Sequence, residues 1–220
     1  MSDKTFSRYL RARNYDLAKA TEMLENTLRW REEFGLVDMK EKWMDQVASE
    51  NASGKTYVRG RDKQGRPLLY MRPRHENTFE HDGNIKHLVY NLERSVACMT
   101  DSAEDDKICL LLDFDGYSMR NAPPMKTSRE TLDILQNHYP ERLHRAYCLR
   151  PPWIFSATFK MISPFIDPVT AQKIVMLRTT PELMTARLLE DIEAQLLETD
   201  LGGQDDRLFE SSKYLAAEMN

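Results

Sequence analysis

Several residue patterns in the 220-residue sequence could carry chemistry, and most are broken at a required position. Ser53-Gly54-Lys55-Thr56 has the ending of a phosphate-cradling loop, but Ser49 stands where the first glycine is needed. A polar loop ahead of a strand is the simpler reading. His75-Glu76 lacks the second histidine that a zinc-protease helix carries, because Phe79 occupies its place. Asp113 and Asp115 end a predicted strand, where α/β enzymes do place catalytic carboxylates. With no base partner or metal spacing beside them, strand-end capping accounts for them better. His75, His81, His87, His138 and His144 form no constellation in the sequence, and Cys98, Cys109 and Cys148 show no metal-ligand spacing. No metal and no cofactor are expected, and an enzyme is the weakest hypothesis.

The segment Trp153–Ile166, WIFSATFKMISPFI, stands out instead. It carries Trp153, Ile154, Phe155, Phe159, Met161, Ile162, Phe165 and Ile166, too many apolar groups for a solvated helix. Two readings are open: a core helix, or a surface element that closes an apolar cavity or touches a membrane. Lys160, Thr170 and Lys173 lie nearby, and Asp167-Pro168-Val169-Thr170 reads as a capped helix start whose free N–H groups can help hold an anion. An apolar lid beside phosphate-binding groups suits an amphiphile with a phosphate head.

The elements that would position these groups follow from periodicity. Asp16 can cap a helix with Leu17, Ala20, Leu24 and Leu28 on one face, and Gly35 stops it. A shorter pattern around Trp43 and Val47 leads to the polar SENASGK, and a boundary is placed near Asn51. Beyond it strands alternate with helices. Strands are predicted at 55–59 and 68–72 around the turn DKQGRP, and at 107–114, 145–150 and 173–177. Helices are predicted over 85–99 and 125–138, and from a Thr180 cap with Pro181 to about Glu198. The alternation implies βαβ crossovers and a mixed, mostly parallel sheet.

Composition agrees with a packed chain: 41% hydrophobic and 30% charged residues. The longest apolar run, Ile108–Leu112, is far below the roughly eighteen residues of a spanning helix. MSDKTFSRYL has no signal-peptide core, so a cytoplasmic protein with reduced thiols is expected. A net charge of −4 argues against a nucleic-acid partner.

The run YPERLHRAYCLRPPWIFSATFKMISPFIDPVTAQKIVML (Tyr139–Leu177) resembles the CRAL-TRIO lipid-binding family, and within it the yeast-type phosphatidylinositol-transfer proteins. FSRYLRARNYDLAKATEMLENTLRWREEFG (Phe6–Gly35) resembles the family's helical N-terminal module, and DKQGRPLLY and LLLDFDG fill the interval. The resemblance implies an α/β CRAL-TRIO fold whose sheet floors an apolar lipid pocket gated by a helix, preceded by a small all-α subdomain. It implies a helical part over 1–50, a lipid-binding domain over 51–204, and a peripheral tail over 205–220. The gate would be built by Trp153, Phe155, Phe159, Ile162, Phe165 and Ile166.

By the same resemblance, Arg13, Glu141, Thr170 and Lys173 would hold an inositol phosphate head group. Arg13 and Lys173 would bind the phosphate, Thr170 would donate its hydroxyl, and Glu141 would accept from ring hydroxyls. Each also has a structural reading, such as Glu141 pairing with Arg142 or Arg145. Members that also bind phosphatidylcholine use hydroxyl residues at the pocket positions Ile108 and Leu110, and tyrosines at Val58 and Leu69; of that set only Arg142 remains. Phosphatidylcholine is therefore expected to bind poorly, and a less polar lipid could be a second ligand. Two smaller departures are Asn14, in place of a lysine, and Glu198, where a proline is common.

The expected function is a lipid transfer or presentation protein that extracts and exchanges one phosphatidylinositol at a membrane surface, with no catalysis. Its expected partners are the phospholipid, a transient membrane contact and a lipid kinase, with the chain monomeric. The rivals are a carrier of an isoprenoid, sterol-like lipid or fat-soluble vitamin, and a regulatory domain acting on small GTPases.

Overall fold

The structure is a computed structural model, and it describes residues 2–99, 106–153, 155, 159, 163–166 and 168–217. Helices α1 (Asp3–Ala12) and α2 (Leu17–Glu33) open the chain. Asp16 caps α2, its carboxylate accepting from the Lys19 backbone N–H at 3.1 Å. Gly35 ends the helix at φ 77°, a left-handed conformation that a Cβ disfavours. Helices α3 (Met39–Lys42) and α4 (Met44–Asn51) follow.

Five strands form one sheet in the order β1 (Thr56–Arg61), β2 (Pro67–Met71), β3 (Ile108–Asp113), β4 (Leu143–Leu149) and β5 (Ile174–Leu177). β1 runs antiparallel to β2 across the DKQGRP turn, and the other pairs are parallel. Helix α5 (His81–Ala97) joins β2 to β3, and α6 (Met125–Asn137) joins β3 to β4. In a sheet whose order never reverses, right-handed crossovers place both helices on one face.

Two apolar layers result. Along β3, Ile108 and Leu110 point to the α5 side and Cys109 and Leu111 to the other, by strand alternation. Ile85, Leu88, Val89 and Leu92 of α5 pack over Leu69 and Ile108. Each such side chain, fully buried, contributes roughly 1.5–3 kcal/mol. Met39, Trp43 and Val47 belong to this same layer, so α3 and α4 share the core of the sheet. Gly83 lets α4 and α5 close up, because a Cβ there would lie 2.5 Å from Glu50 Oε1. Tyr9, Ala20 and Met23 form a small separate cluster between α1 and α2.

Three expectations are corrected. β4 begins at Leu143, two residues early, because a bulge hides its alternation: Ile108 pairs with Leu143, but Cys109 pairs with Arg145. The helix capped by Thr180, α8 (Pro181–Asp191), stops well before Glu198. Ile192 is extended, 1% exposed and bridged to Asp62, so burial against the end of β1 wins over another helical turn.

The third correction concerns the tail, which is not peripheral. Phe209 stacks on Tyr57 at 4.6 Å, and α9 (Ser211–Ala216) carries Tyr214 into the core. The Tyr214 hydroxyl accepts from the Val58 N–H at 2.9 Å and donates to Asn91 Oδ1 at 2.7 Å. Arg94 lies 4.1 Å from the centroid of the same ring. Two aromatic anchors in a polar run were enough to strap it down. No helix among the described residues is long and apolar enough to cross a membrane.

Candidate functional site

The turn before β4, Tyr139-Pro140-Glu141-Arg142, is pinned from three sides. His138 stacks on Trp30 of α2 at 4.2 Å, and the Thr27 hydroxyl donates to Asn137 O at 3.0 Å. The Tyr139 hydroxyl donates to Glu93 Oε1 at 2.6 Å, and Arg31 grips both oxygens of Glu93 at 2.8 and 2.9 Å. Burial alone would raise the Glu93 pKa, but the Arg31 hydrogen bonds and charge outweigh it and hold Glu93 ionised. Arg142 donates to Asp106 O at 2.7 Å, and Asp106 is ion-paired with both Arg142 and Arg8. Burial, then repulsion from Arg8, push the Arg142 pKa down to about 10. These pairs couple α1 and α2 to the sheet and fix the turn between them.

Within that turn Glu141 adopts φ 58°, a left-handed conformation for a residue with a side chain. Lys173, just before β5, places its Nζ 3.9 Å from Glu141 Oε2. Thr170 belongs to the short helix α7 (Pro168–Gln172), and its carbonyl accepts from the Lys173 N–H at 3.0 Å. Glu141, Thr170 and Lys173 are thus gathered at the starts of two adjacent parallel strands.

Arg13 is placed differently. It ends α1, its guanidinium donates to Ala12 O at 3.1 Å, and among the described residues it has no ion-pair partner. It lines a groove of about 340 Å³ with Lys19, Asn26, Asn137 and His138, the last only three residues ahead of Glu141. Asn14 follows at φ 50° and Tyr15 at φ 62°; asparagine tolerates that region well, which gives the Asn14 departure a backbone rationale.

The positions where dual-specific members keep polar groups line up across the sheet. Val58 pairs with Leu69, and Leu69 with Leu110, so one row of aliphatic side chains crosses three strands. Ile108 is buried beneath α5, and Leu110 is half-buried. A cavity of about 270 Å³ opens between α5 and α6, with Met71, Leu88 and Leu132 in its wall. Its lining does not include Ile108 or Leu110.

In the segment expected to form a gate, Trp153, Phe155 and Phe159 are helical and Ser163–Phe165 forms a 3-10 turn. Trp153 is 76% exposed, which a core helix would not leave in water. Phe155 rests on Phe114 at 4.1 Å and faces Phe159 at 6.0 Å. Ile166 is half-buried. Ile162, with Ile154, Lys160 and Met161, lies outside the described residues.

Sequence reasoning passed over the ion network at the end of the fold. Glu198 is buried and accepts from both Tyr57 (2.9 Å) and Arg59 (2.8 Å), and from Arg72 at 2.5 Å. Arg72 and Arg74 reach Asp200, and Asp113 accepts from Arg74 at 2.5 Å and Arg150 at 3.1 Å. Asp113 is therefore a charge-bridging strand end, held between two guanidinium groups. Glu198 keeps φ −66°, the value proline imposes. The backbone there is the expected one, and the side chain adds the network.

The fold also assembles Asp62, Cys109 and His144, whose ligand atoms lie within 4.8 Å of one another. Asp62 is already engaged: Oδ1 accepts from the Gln64 and Arg66 N–H groups, and Oδ2 from Arg66 Nη1 at 3.0 Å and the Cys109 thiol at 3.4 Å. Burial and then Asp62 push the Cys109 thiol far above its usual range. With a guanidinium on the carboxylate, the group closes a hairpin and offers a cation little.

The CRAL/TRIO domain family matches residues 51–203, and the family's N-terminal domain matches residues 1–26. A CRAL-TRIO domain-containing protein of Schizosaccharomyces pombe is 41% identical over 76% of this chain and 16% of its own length. The phosphatidylinositol transfer protein PDR17 of Saccharomyces cerevisiae is 38% identical over 80% of this chain and 52% of its own. The SEC14 cytosolic factor of Candida glabrata is 32% identical over 94% and 72% respectively. The chain thus spans about a sixth of the first relative and half of the second. The crystal structure of Sfh5 superposes with a TM-score of 0.74 at 16% identity, over 99% of this chain and 76% of that one, a likeness of fold. On these matches the chain is a member of the CRAL/TRIO domain family.

Proposed function

We propose that this chain binds one phosphatidylinositol and exchanges it at membrane surfaces, leaving the lipid chemically unchanged. The observation that carries the reading is the Glu141–Lys173 pair with Thr170 beside it. Lys173 offers a cation and Glu141 an acceptor, and with the Thr170 hydroxyl on the preceding helix they would suit a phosphate next to a ring of hydroxyls. Arg13, on the groove beside the same turn, supplies a second cation. The relatives named for phosphatidylinositol transfer support the same ligand.

The strands run about 20 Å from this end to the gate, at ~3.3 Å per residue. One leaflet of hydrocarbon is about 15 Å, half of a ~30 Å core, so an acyl chain fits along the sheet. Trp153, Phe155, Phe159, Ile162, Phe165 and Ile166 would form the gate, with α1 and α2 walling the head-group end and residues 51–204 holding the lipid. We place the protein in the cytoplasm, as a monomer transiently on membranes, presenting its lipid to a kinase.

A ligand lying along the row Val58, Leu69 and Leu110 would meet aliphatic groups only, which suits a less polar second ligand better than phosphatidylcholine. A choline phosphate there would leave groups unpaired, at about 1–3 kcal/mol each. The test is transfer of labelled phosphatidylinositol between donor and acceptor vesicles. The reading expects transfer of this lipid, and its absence from a folded preparation would reject it.

A further inference from the structure

One stretch of this acidic chain reverses its charge. Tyr117–Arg129, YSMRNAPPMKTSR, carries Arg120, Lys126 and Arg129 and no Asp or Glu, in a chain of net charge −4. All three cations are exposed, and among the described residues none has an ion-pair partner. At its borders stand Asp115, two residues ahead, and Glu130, which is hydrogen-bonded to His81 at 2.9 Å.

The same stretch turns apolar groups outward. Met119 is 60% exposed and Met125 47% exposed, at a 3-10 turn and at the first residue of α6. Phe114 joins this loop to the gate segment, with its ring 5.6 Å from Tyr117 and 4.1 Å from Phe155. Exposed Trp153 begins that segment, and Asn121 and Pro123 form part of the rim of the cavity between α5 and α6. Flexible thioethers, an indole and unpaired cations thus share one end of the sheet, at a cavity mouth.

We propose that Tyr117–Arg129, together with Trp153, is the surface that docks on an anionic bilayer. Met119, Met125 and Trp153 enter the interface, and Arg120, Lys126 and Arg129 meet lipid phosphates. The indole, with an apolar body and a polar N–H, suits the interfacial depth, and the methionine thioethers add flexible apolar contact. Each basic residue near an anionic surface strengthens attachment about fivefold. The inference rests on the lipid-exchange reading, and adds which face meets the membrane and with what charge.

The test is flotation of the full chain with vesicles of phosphatidylcholine containing phosphatidylserine and no phosphatidylinositol, in low and high salt. Soluble short-chain phosphatidylinositol binding is measured in parallel. We expect flotation that weakens with salt and falls about thirtyfold in Arg120→Ala/Lys126→Ala, with short-chain lipid binding unchanged. Brominated lipid should quench Trp153, because Trp43 is buried and Trp30 half-buried. Normal flotation of the double variant, salt-insensitive attachment, or an unquenched Trp153 on floated protein would each overturn the proposal. Wild-type protein that floats as described but ignores short-chain phosphatidylinositol would overturn the lipid reading instead. Protein that binds the short-chain lipid and ignores the vesicles would overturn the docking surface alone. The salt and quenching arms use wild-type protein, so they stand even if a variant misfolds.

Discussion

Lys173 Nζ and Glu141 Oε2 face each other at 3.9 Å, within ion-pair range but beyond hydrogen-bond length. Each side chain is about one-fifth exposed. At that spacing no hydrogen bond joins the two groups, so the pair contributes less to folding than a close one, and both groups stay able to turn to a ligand. Lys173→Ala and Glu141→Ala should each weaken phosphatidylinositol binding roughly 10- to 150-fold, the loss of one charge-assisted bond of about 1.5–3 kcal/mol. Urea midpoints should shift little. Isothermal titration with a short-chain lipid checks the first effect and urea melts the second.

Glu141 gives a test in which binding and stability part. Its φ of 58° costs a side-chain residue roughly 1–2 kcal/mol, while glycine gives back about 0.5–1 kcal/mol in chain entropy. Glu141→Gly should therefore fold as stably as the parent, or up to about 1.5 kcal/mol more so, while losing head-group affinity. Glu141→Ala keeps the strain and should gain nothing. Comparative urea melts of the two variants distinguish them.

His87 should make the fold acid-sensitive. It is buried and meets Asn51 Oδ1 at 3.1 Å through Nε2. Burial first, and the Lys55 charge second, depress its pKa from 6.5 to about 3. Between those values the unfolded chain takes up a proton that the folded chain refuses. Stability is then complete above pH 6.5 and falls as pH drops toward 3, by at most about 1.4 kcal/mol per pH unit from this group. Urea melts between pH 7 and 5 should show a shallower slope in His87→Gln than in the parent.

Glu198 is expected to be the costliest carboxylate to remove. Tyr57, Arg59 and Arg72 all donate to it in a buried setting. Burial raises its pKa despite Arg72, the largest opposing influence. Glu198→Ala removes the buried carboxylate shared by Arg59 and Arg72, leaving Arg72 the half-exposed Asp200 and Arg59 two backbone carbonyls, and should destabilise by up to about 3–5 kcal/mol. Glu198→Pro suits the backbone at φ −66° and should still lose the network. Equilibrium melts of both test whether side chain or backbone matters here.

What could be read in advance was local. The Asp16 cap, the Gly35 stop and the Thr180-Pro181 start each need only a few neighbouring residues, and each stands where expected. The four residues proposed for the head group came from family resemblance; of them the fold pairs Glu141 with Lys173, Thr170 lies one turn ahead of Lys173, and Arg13 sits on an adjoining groove. The unread features are those made by distant partners. Arg31 and Glu93 stand 62 residues apart, and Arg8 and Asp106 stand 98 apart. Nothing in the charge pattern pairs them. The tail failed for the same reason, because Tyr214 finds Val58 and Asn91 only once the sheet exists.

The most direct test is lipid uptake from vesicles holding phosphatidylinositol and phosphatidylcholine in equal amounts, with mass spectrometry of what remains on the re-isolated protein. The account predicts phosphatidylinositol in clear excess, lost in Lys173→Ala. Phosphatidylcholine in comparable amount would contradict the apolar row at Val58, Leu69 and Leu110, and the absence of both lipids would contradict the head-group site itself.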